Sequence, residues 1–146
     1  MSHPALVPAD VLMNNAAIQI PTDAVGPEAD WRRLLGVNLL GVIDDSQAFA
    51  PRMIDRGRPG LIINTASKQG ITAPPGNPAY NVSKSGVKAY TEALQHQLRN
   101  TDGCGVNAHL LIPGFVWRPG ISTSCAPTTT LIARRTRNAW PGSSAT

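Results

Sequence analysis

Three short apolar runs, each closing in small or polar residues and separated by longer stretches of helical periodicity, restrict the folds open to this 146-residue chain. The runs are Val11 to Met13, Leu61 to Ile63 and Val106 to Ile112; they end in Asn14-Asn15-Ala16-Ala17, in Asn64 to Ser67, and in Pro113-Gly114. A near-continuous apolar run such as Val106 to Ile112 is what a parallel sheet covered on both faces requires of its strands. Between the runs, Pro27 to Met53 reads as a long helix with Trp31, Leu34, Leu35, Val42 and Phe49 at helical spacing and Pro51 as a late break. Ser83 to Asn100 reads as a second helix, with Val87, Tyr90, Leu94 and Leu98 near one stripe. The expectation is a partial doubly wound α/β domain. Its three parallel strands lie near 11–15, 61–66 and 106–112, and right-handed crossovers through helices near 27–53 and 80–100 join them.

In open α/β sheets ligands bind at the carboxyl ends of the strands, which places Ser67 where a ligand is expected. Gly70, Pro74, Pro75, Gly76 and Pro78 break regular structure after it, and Tyr80 and Lys84 then stand four apart on one helical face. That arrangement suits proton transfer to or from a carbonyl or alcohol oxygen. A free phenol is a poor base at neutral pH, but an ammonium about 5 Å away, at an effective dielectric near 20, favours the phenolate by roughly 3 kcal/mol. Ser67 would then donate a hydrogen bond to the reacting oxygen. Taken alone, a tyrosine and a lysine at this spacing are usually an ordinary solvated pair. Asn38 falls on the apolar stripe of the first helix, where an unpaired amide costs about 1–3 kcal/mol, so it needs a partner. On pattern alone it is either a satisfied core asparagine or a functional one. Asp44, Asp45 and Arg52 are expected to face solvent, and His109 to be a packed or surface-facing side chain rather than a catalyst.

Ser67, Tyr80 thirteen residues on and Lys84 four beyond that, inside the frame Asn64, Ser67 and Gly70, resemble the catalytic core of the short-chain dehydrogenase/reductase family. Three more segments match in order: Asn14-Asn15-Ala16-Ala17, Val37 to Gly41, and Pro113-Gly114-Phe115-Val116, so the resemblance covers residues 11 to 116. It implies a Rossmann-like fold and hydride transfer between NAD or NADP and a small-molecule carbonyl or secondary alcohol. It also implies Tyr80 as acid/base, Lys84 favouring the phenolate and binding the nicotinamide ribose, Ser67 fixing the substrate oxygen, and Asn38 holding a water that relays protons. Asn15, Ala16, Ala17, Pro113, Gly114 and Val116 would join Tyr80 and Lys84 in binding the cofactor. The two helices imply self-association, since in full-length relatives they form a four-helix bundle. Two departures stand out: Ala17 replaces the family's glycine, and no glycine-rich turn follows a strand anywhere in the chain. That turn cradles the dinucleotide pyrophosphate. Its absence raises the alternative of a non-catalytic fragment that self-associates without binding cofactor alone. It also leaves the Val11 strand as an apolar sheet edge.

Composition divides the chain at residue 117, giving a truncated catalytic region over 1–117 and a tail over 118–146. Removing Arg118, Arg134, Arg135 and Arg137 from the 13 basic residues leaves as many bases as the nine acids, so the net charge of +4 belongs to the tail. An acid-free tail rich in Pro, Ser and Thr is expected to be disordered, or to be an out-of-frame reading of a truncated gene. It lacks the helical or aromatic arrangement of a nucleic-acid-binding segment. There is no 18-residue apolar run and no charged-then-apolar leader, so the expectation is a cytoplasmic protein off the membrane. The two cysteines, Cys104 and Cys125, lack metal or redox spacing, and no metal site is expected.

Overall fold

The computed structural model describes residues 9–114 and the backbone of 132–133. Strand β1 (Val11–Asn14) leads through a loop to helix α1 (Glu28–Leu35), a π-helical turn (Gly36–Leu40) and helix α2 (Gly41–Asp55). Strand β2 (Gly60–Thr65), the short helix α3 (Gln69–Thr72), helix α4 (Pro78–Arg99) and strand β3 (Val106–Ile112) follow. The sheet order is β1-β2-β3-β4; the first three strands are parallel, and the two-residue β4 (Ile132–Ala133) lies antiparallel to β3. Three parallel strands and two long helical segments make this a partial Rossmann-like α/β fold.

The sequence-level expectation needs adjustment in four places. The helix expected over 27–53 is interrupted by the π-helical turn, a widened turn that brings Asn38 fully inside. The Gly/Pro-rich loop contains α3, which seats on α4 because Gly70 lacks a side chain there. A fourth strand, β4, falls within the stretch taken as a tail; the remainder of that stretch, with the boundary at 117, lies outside the described residues. Finally, the described helices pack on one face of the sheet only. Ala50 and Met53 of α2 and Leu98 of α4 meet Ile62, Val106 and Ala108, while Val42 and Val87 meet Ala66, with Leu110 and Ile112 alongside. On the other face Val11 and Met13 remain 58% and 53% exposed, and the outer edge of β1 has no partner strand among the described residues.

A buried polar chain ties this one-sided sheet to its helices. Asn14 Nδ2 donates to Asn64 Oδ1 at 2.8 Å and to Ser46 Oγ at 3.2 Å, and Asn64 Nδ2 donates to Thr91 Oγ1 at 3.0 Å. Thr91 in turn donates to the carbonyl of Val87 at 2.6 Å. Each of these groups is buried and has a partner, so β1, β2, α2 and α4 are fixed in register where an unpaired amide would be costly. Asp44, Asp45 and Arg52 are exposed, and His109 is half-buried.

Candidate active site

Because β1, β2 and β3 run parallel, their carboxyl ends collect Asn15 to Ala17, Ser67 and Pro113-Gly114 at one end of the sheet. Asn15, Ala16 and Ala17 are exposed there, and Pro113 and Gly114 are half-buried; Val116 lies outside the described residues. Ser67 is half-buried just past β2, and its Oγ accepts from the backbone N–H of Gln69 at 3.3 Å. An accepting hydroxyl keeps its own hydrogen free to donate.

Tyr80 and Lys84 stand on the first turns of α4. Pro78 opens the helix at a position that needs no N–H, and the side chain of Asn77 caps it by accepting from the Tyr80 N–H at 3.3 Å. Lys84 is only 2% exposed; its Nζ lies 5.8 Å from the centre of the Tyr80 ring and donates to the carbonyl of Thr65 at 2.9 Å. Burial holds the ammonium below its ordinary pKa. Among the described residues Lys84 forms no ion pair, and the Tyr80 hydroxyl has no hydrogen-bond partner. A buried ammonium with two unused N–H donors beside a free phenol is an arrangement that a purely structural lysine would not need.

Asn38 is 0% exposed and clamps the backbone of Ile18, its Oδ1 accepting from Ile18 N at 2.8 Å and its Nδ2 donating to Ile18 O at 2.9 Å. A longer contact of 3.4 Å runs from Nδ2 to Ser83 Oγ, which itself donates to the carbonyl of Tyr80 at 2.8 Å. Both Nδ2 hydrogens are therefore committed, and Oδ1 keeps one lone pair for a water.

Sequence reasoning missed Asn77 and Thr22. Thr22 Oγ1 donates to Asn77 Oδ1 at 2.8 Å and accepts from Ala79 N at 3.2 Å, while Asn77 Nδ2 donates to the carbonyl of Ile20 at 3.0 Å. The loop after β1 is thus stapled to the start of the helix that carries Tyr80. The asparagine-proline pair at 77–78 was the available signal, since it is a helix-start pattern. Thr22 had none. Thr65 was also missed; its carbonyl holds Lys84 while its buried hydroxyl has no partner among the described residues.

The chain is similar in sequence and fold to known proteins. The short chain dehydrogenase family model matches residues 4–125. Ketoacyl reductase HetN of Nostoc sp. is 35% identical over 116 residues, covering 79% of this chain and 39% of the relative. The 3-oxoacyl-[acyl-carrier-protein] reductase FabG of Thermotoga maritima is 37% identical over 111 residues, covering 75% of this chain and 44% of that protein. Among solved structures, a short chain dehydrogenase/reductase from Burkholderia phymatum in complex with NAD superposes with a TM-score of 0.70 at 34% identity, covering 81% of this chain and 46% of that one. A gluconate 5-dehydrogenase from Burkholderia cenocepacia in complex with NADP and tartrate gives a TM-score of 0.67 at 36% identity, covering 73% of this chain and 40% of that one. The chain spans less than half the length of these proteins. The extent of the family match, the ordered motifs and the parallel sheet together place this chain in the short-chain dehydrogenase family.

Proposed function

We propose that this chain forms the active-site part of an NAD- or NADP-dependent oxidoreductase acting on a small-molecule carbonyl or secondary alcohol. The observation that carries the reading is Lys84: a buried ammonium, without a carboxylate among the described residues, placed against the Tyr80 ring and held by a backbone carbonyl. Tyr80 exchanges a proton with the reacting oxygen, with the Lys84 ammonium beside its ring. Ser67 donates its free hydroxyl hydrogen to the same oxygen. Asn38 fixes the loop after β1 and offers its remaining lone pair to a water that returns protons to Lys84.

The residues present fit the nicotinamide end of a dinucleotide. Lys84 has two donors to spare for the ribose hydroxyls, and Asn15, Ala16 and Ala17, with Pro113 and Gly114, leave the strand ends open to close approach; Val116 belongs to the same assignment by family. When bound, a nicotinamide would supply or take up the hydride. Exposed Val37, Leu40 and Val82 on the helical layer support self-association through the helices near 27–53 and 80–100.

A second reading, a non-catalytic fragment that associates but binds no cofactor alone, is favoured by the outer edge of β1, which has no partner strand among the described residues, and by the lack of a glycine-rich turn in the sequence. Titration of the folded chain with NADH and NADPH, followed by nicotinamide fluorescence, decides between them. The proposal expects saturable binding that weakens at least tenfold in Lys84→Ala. No binding to a sample shown by circular dichroism to be folded would establish the second reading.

A further inference from the structure

Beside the candidate active site is a cavity of about 390 Å³, between Gln19 and Pro21 on the loop after β1 and Gln69 and the 74–77 turn on the loop after β2. Its volume is near the small end for ligand pockets, which run from about 300 to 1,000 Å³. Gln69, which lines the cavity, is two residues beyond Ser67 and donates its backbone N–H to that serine, so one wall is tied to the residue assigned to the substrate oxygen.

The walls are stiff. Pro21, Pro74 and Pro75 fix their backbone angles, Gly76 holds a positive φ of 102°, and Asn77 staples the two loops together. The Asn77 amide is largely committed: its oxygen accepts from Thr22 and Tyr80, and its nitrogen donates to the carbonyl of Ile20, which leaves one N–H. Gln19 and Gln69 differ in this respect. Neither side-chain amide has a hydrogen-bond partner among the described residues, and no ionisable side chain among those residues lines the cavity.

From this lining we infer that the substrate is an uncharged, polyhydroxylated molecule of sugar or polyol size, gripped by the side-chain amides of Gln19 and Gln69. The inference rests on the oxidoreductase reading above and adds a substrate class to it. A carboxamide offers a donor and an acceptor, as a hydroxyl does, so the two pair without leaving either group unsatisfied. A carboxylate or phosphate would meet no cation among the described lining residues, and an aliphatic chain would desolvate both amides without replacing their water contacts.

The test compares sorbitol with gluconate, two six-carbon probes that differ at one terminal carbon, binding to the full chain by saturation-transfer NMR and calorimetry. Gln19→Leu and Gln69→Leu are measured alongside, with circular dichroism confirming the fold of each. Sorbitol is expected to bind, gluconate to bind no more tightly, and each variant to weaken sorbitol by about fivefold, the worth of one neutral hydrogen bond. Gluconate binding tenfold tighter, sorbitol binding unchanged in both variants, or no sorbitol binding by the folded chain would each overturn the inference. NADH binding in the same samples reads the underlying proposal separately. If NADH fails to bind while sorbitol binding depends on the two glutamines, the oxidoreductase reading falls and the polyol site stands.

Discussion

Gly70 offers a direct test of how the candidate site is assembled, because its replacement by alanine challenges one contact only. A Cβ built there would lie 2.6 Å from the carbonyl carbon of Lys84, 2.8 Å from its oxygen and 2.8 Å from the nitrogen of Ser85. All three atoms are backbone, so no side chain can swing aside. Restoring ordinary contact at 3.4 Å requires α3 to retreat from α4 by most of an ångström. Retreat also strains the bond from Ser85 Oγ to the carbonyl of Gly70, now 2.7 Å. Overpacking of this kind costs about 1–3 kcal/mol and the hydrogen bond about 1, against roughly 1 kcal/mol gained because alanine favours helix. The net expectation for Gly70→Ala is a loss of about 2 kcal/mol, or a fall in Tm of roughly 6–10 °C for a domain of this size. Gly36→Ala is the matched control: it too lies in helical backbone, with φ −55°, and its Cβ would meet nothing within 4 Å. That variant should be neutral or more stable by up to about 1 kcal/mol. Urea denaturation of the two proteins checks the pair, and Gly70→Ala no less stable than Gly36→Ala would refute the packing argument.

Asn64→Leu should destabilise the chain by about 2–3 kcal/mol, since Asn14 loses its shortest acceptor and Thr91 loses a donor in a fully buried site. The double variant with Asn14→Leu should cost about 1 kcal/mol less than the sum of the singles, measured by urea denaturation as a double-mutant cycle; strict additivity would mean that the bond between them contributes nothing. Lys84→Met should change how stability depends on alkaline pH. Burial lowers the folded pKa below the ordinary 10.5, so between the folded value and 10.5 the unfolded chain holds a proton that the folded chain has released. The wild-type chain therefore gains stability as pH rises through that window and loses it as pH falls through the folded pKa. The difference in unfolding free energy between wild type and Lys84→Met should slope in that window, and a flat difference would show that burial of the ammonium is not felt.

Much of this arrangement was legible because it depends on local spacing. The apolar runs at 11–13, 61–63 and 106–112 gave the strands, and the step of four between Tyr80 and Lys84 gave their shared helix face. Asn38 on an apolar stripe demanded a partner, and the backbone of Ile18 supplies it. What was not legible depends on contacts distant in sequence. The staple from Asn77 to Thr22 crosses 55 residues, and the seating of α3 on α4 uses the close approach of Gly70 to the backbone of Lys84, which no local pattern announces. The π-helical turn was hidden for a related reason: its flanking residues keep ordinary helical spacing, and only the inward burial of Asn38 marks the widened turn. The one-sided sheet was legible in β3 itself: the residues that face the helices are Val106, Ala108, Leu110 and Ile112, while the alternate positions hold Asn107, His109 and Leu111, so the run is less continuous than a strand covered on both faces requires.

That one-sidedness bears on what the site needs in order to exist. Every contact that builds it belongs to the helical side or to the carboxyl ends of the strands: Lys84 to Thr65, Asn38 to Ile18, Asn77 to Thr22, and the chain from Asn14 through Asn64 to Thr91. None involves the opposite face, where Val11 and Met13 stand exposed. Covering that face would bury apolar surface at about 25 cal/mol per Å² and so add stability, but it would leave these hydrogen bonds as they are. Among the described residues, the placement of Tyr80, Lys84 and Ser67 is therefore set by the helices, the loops and the carboxyl ends of the strands. The face and the β1 edge that no described residue covers therefore bear on how stable the chain is, and through that on the lifetime of the site rather than its shape.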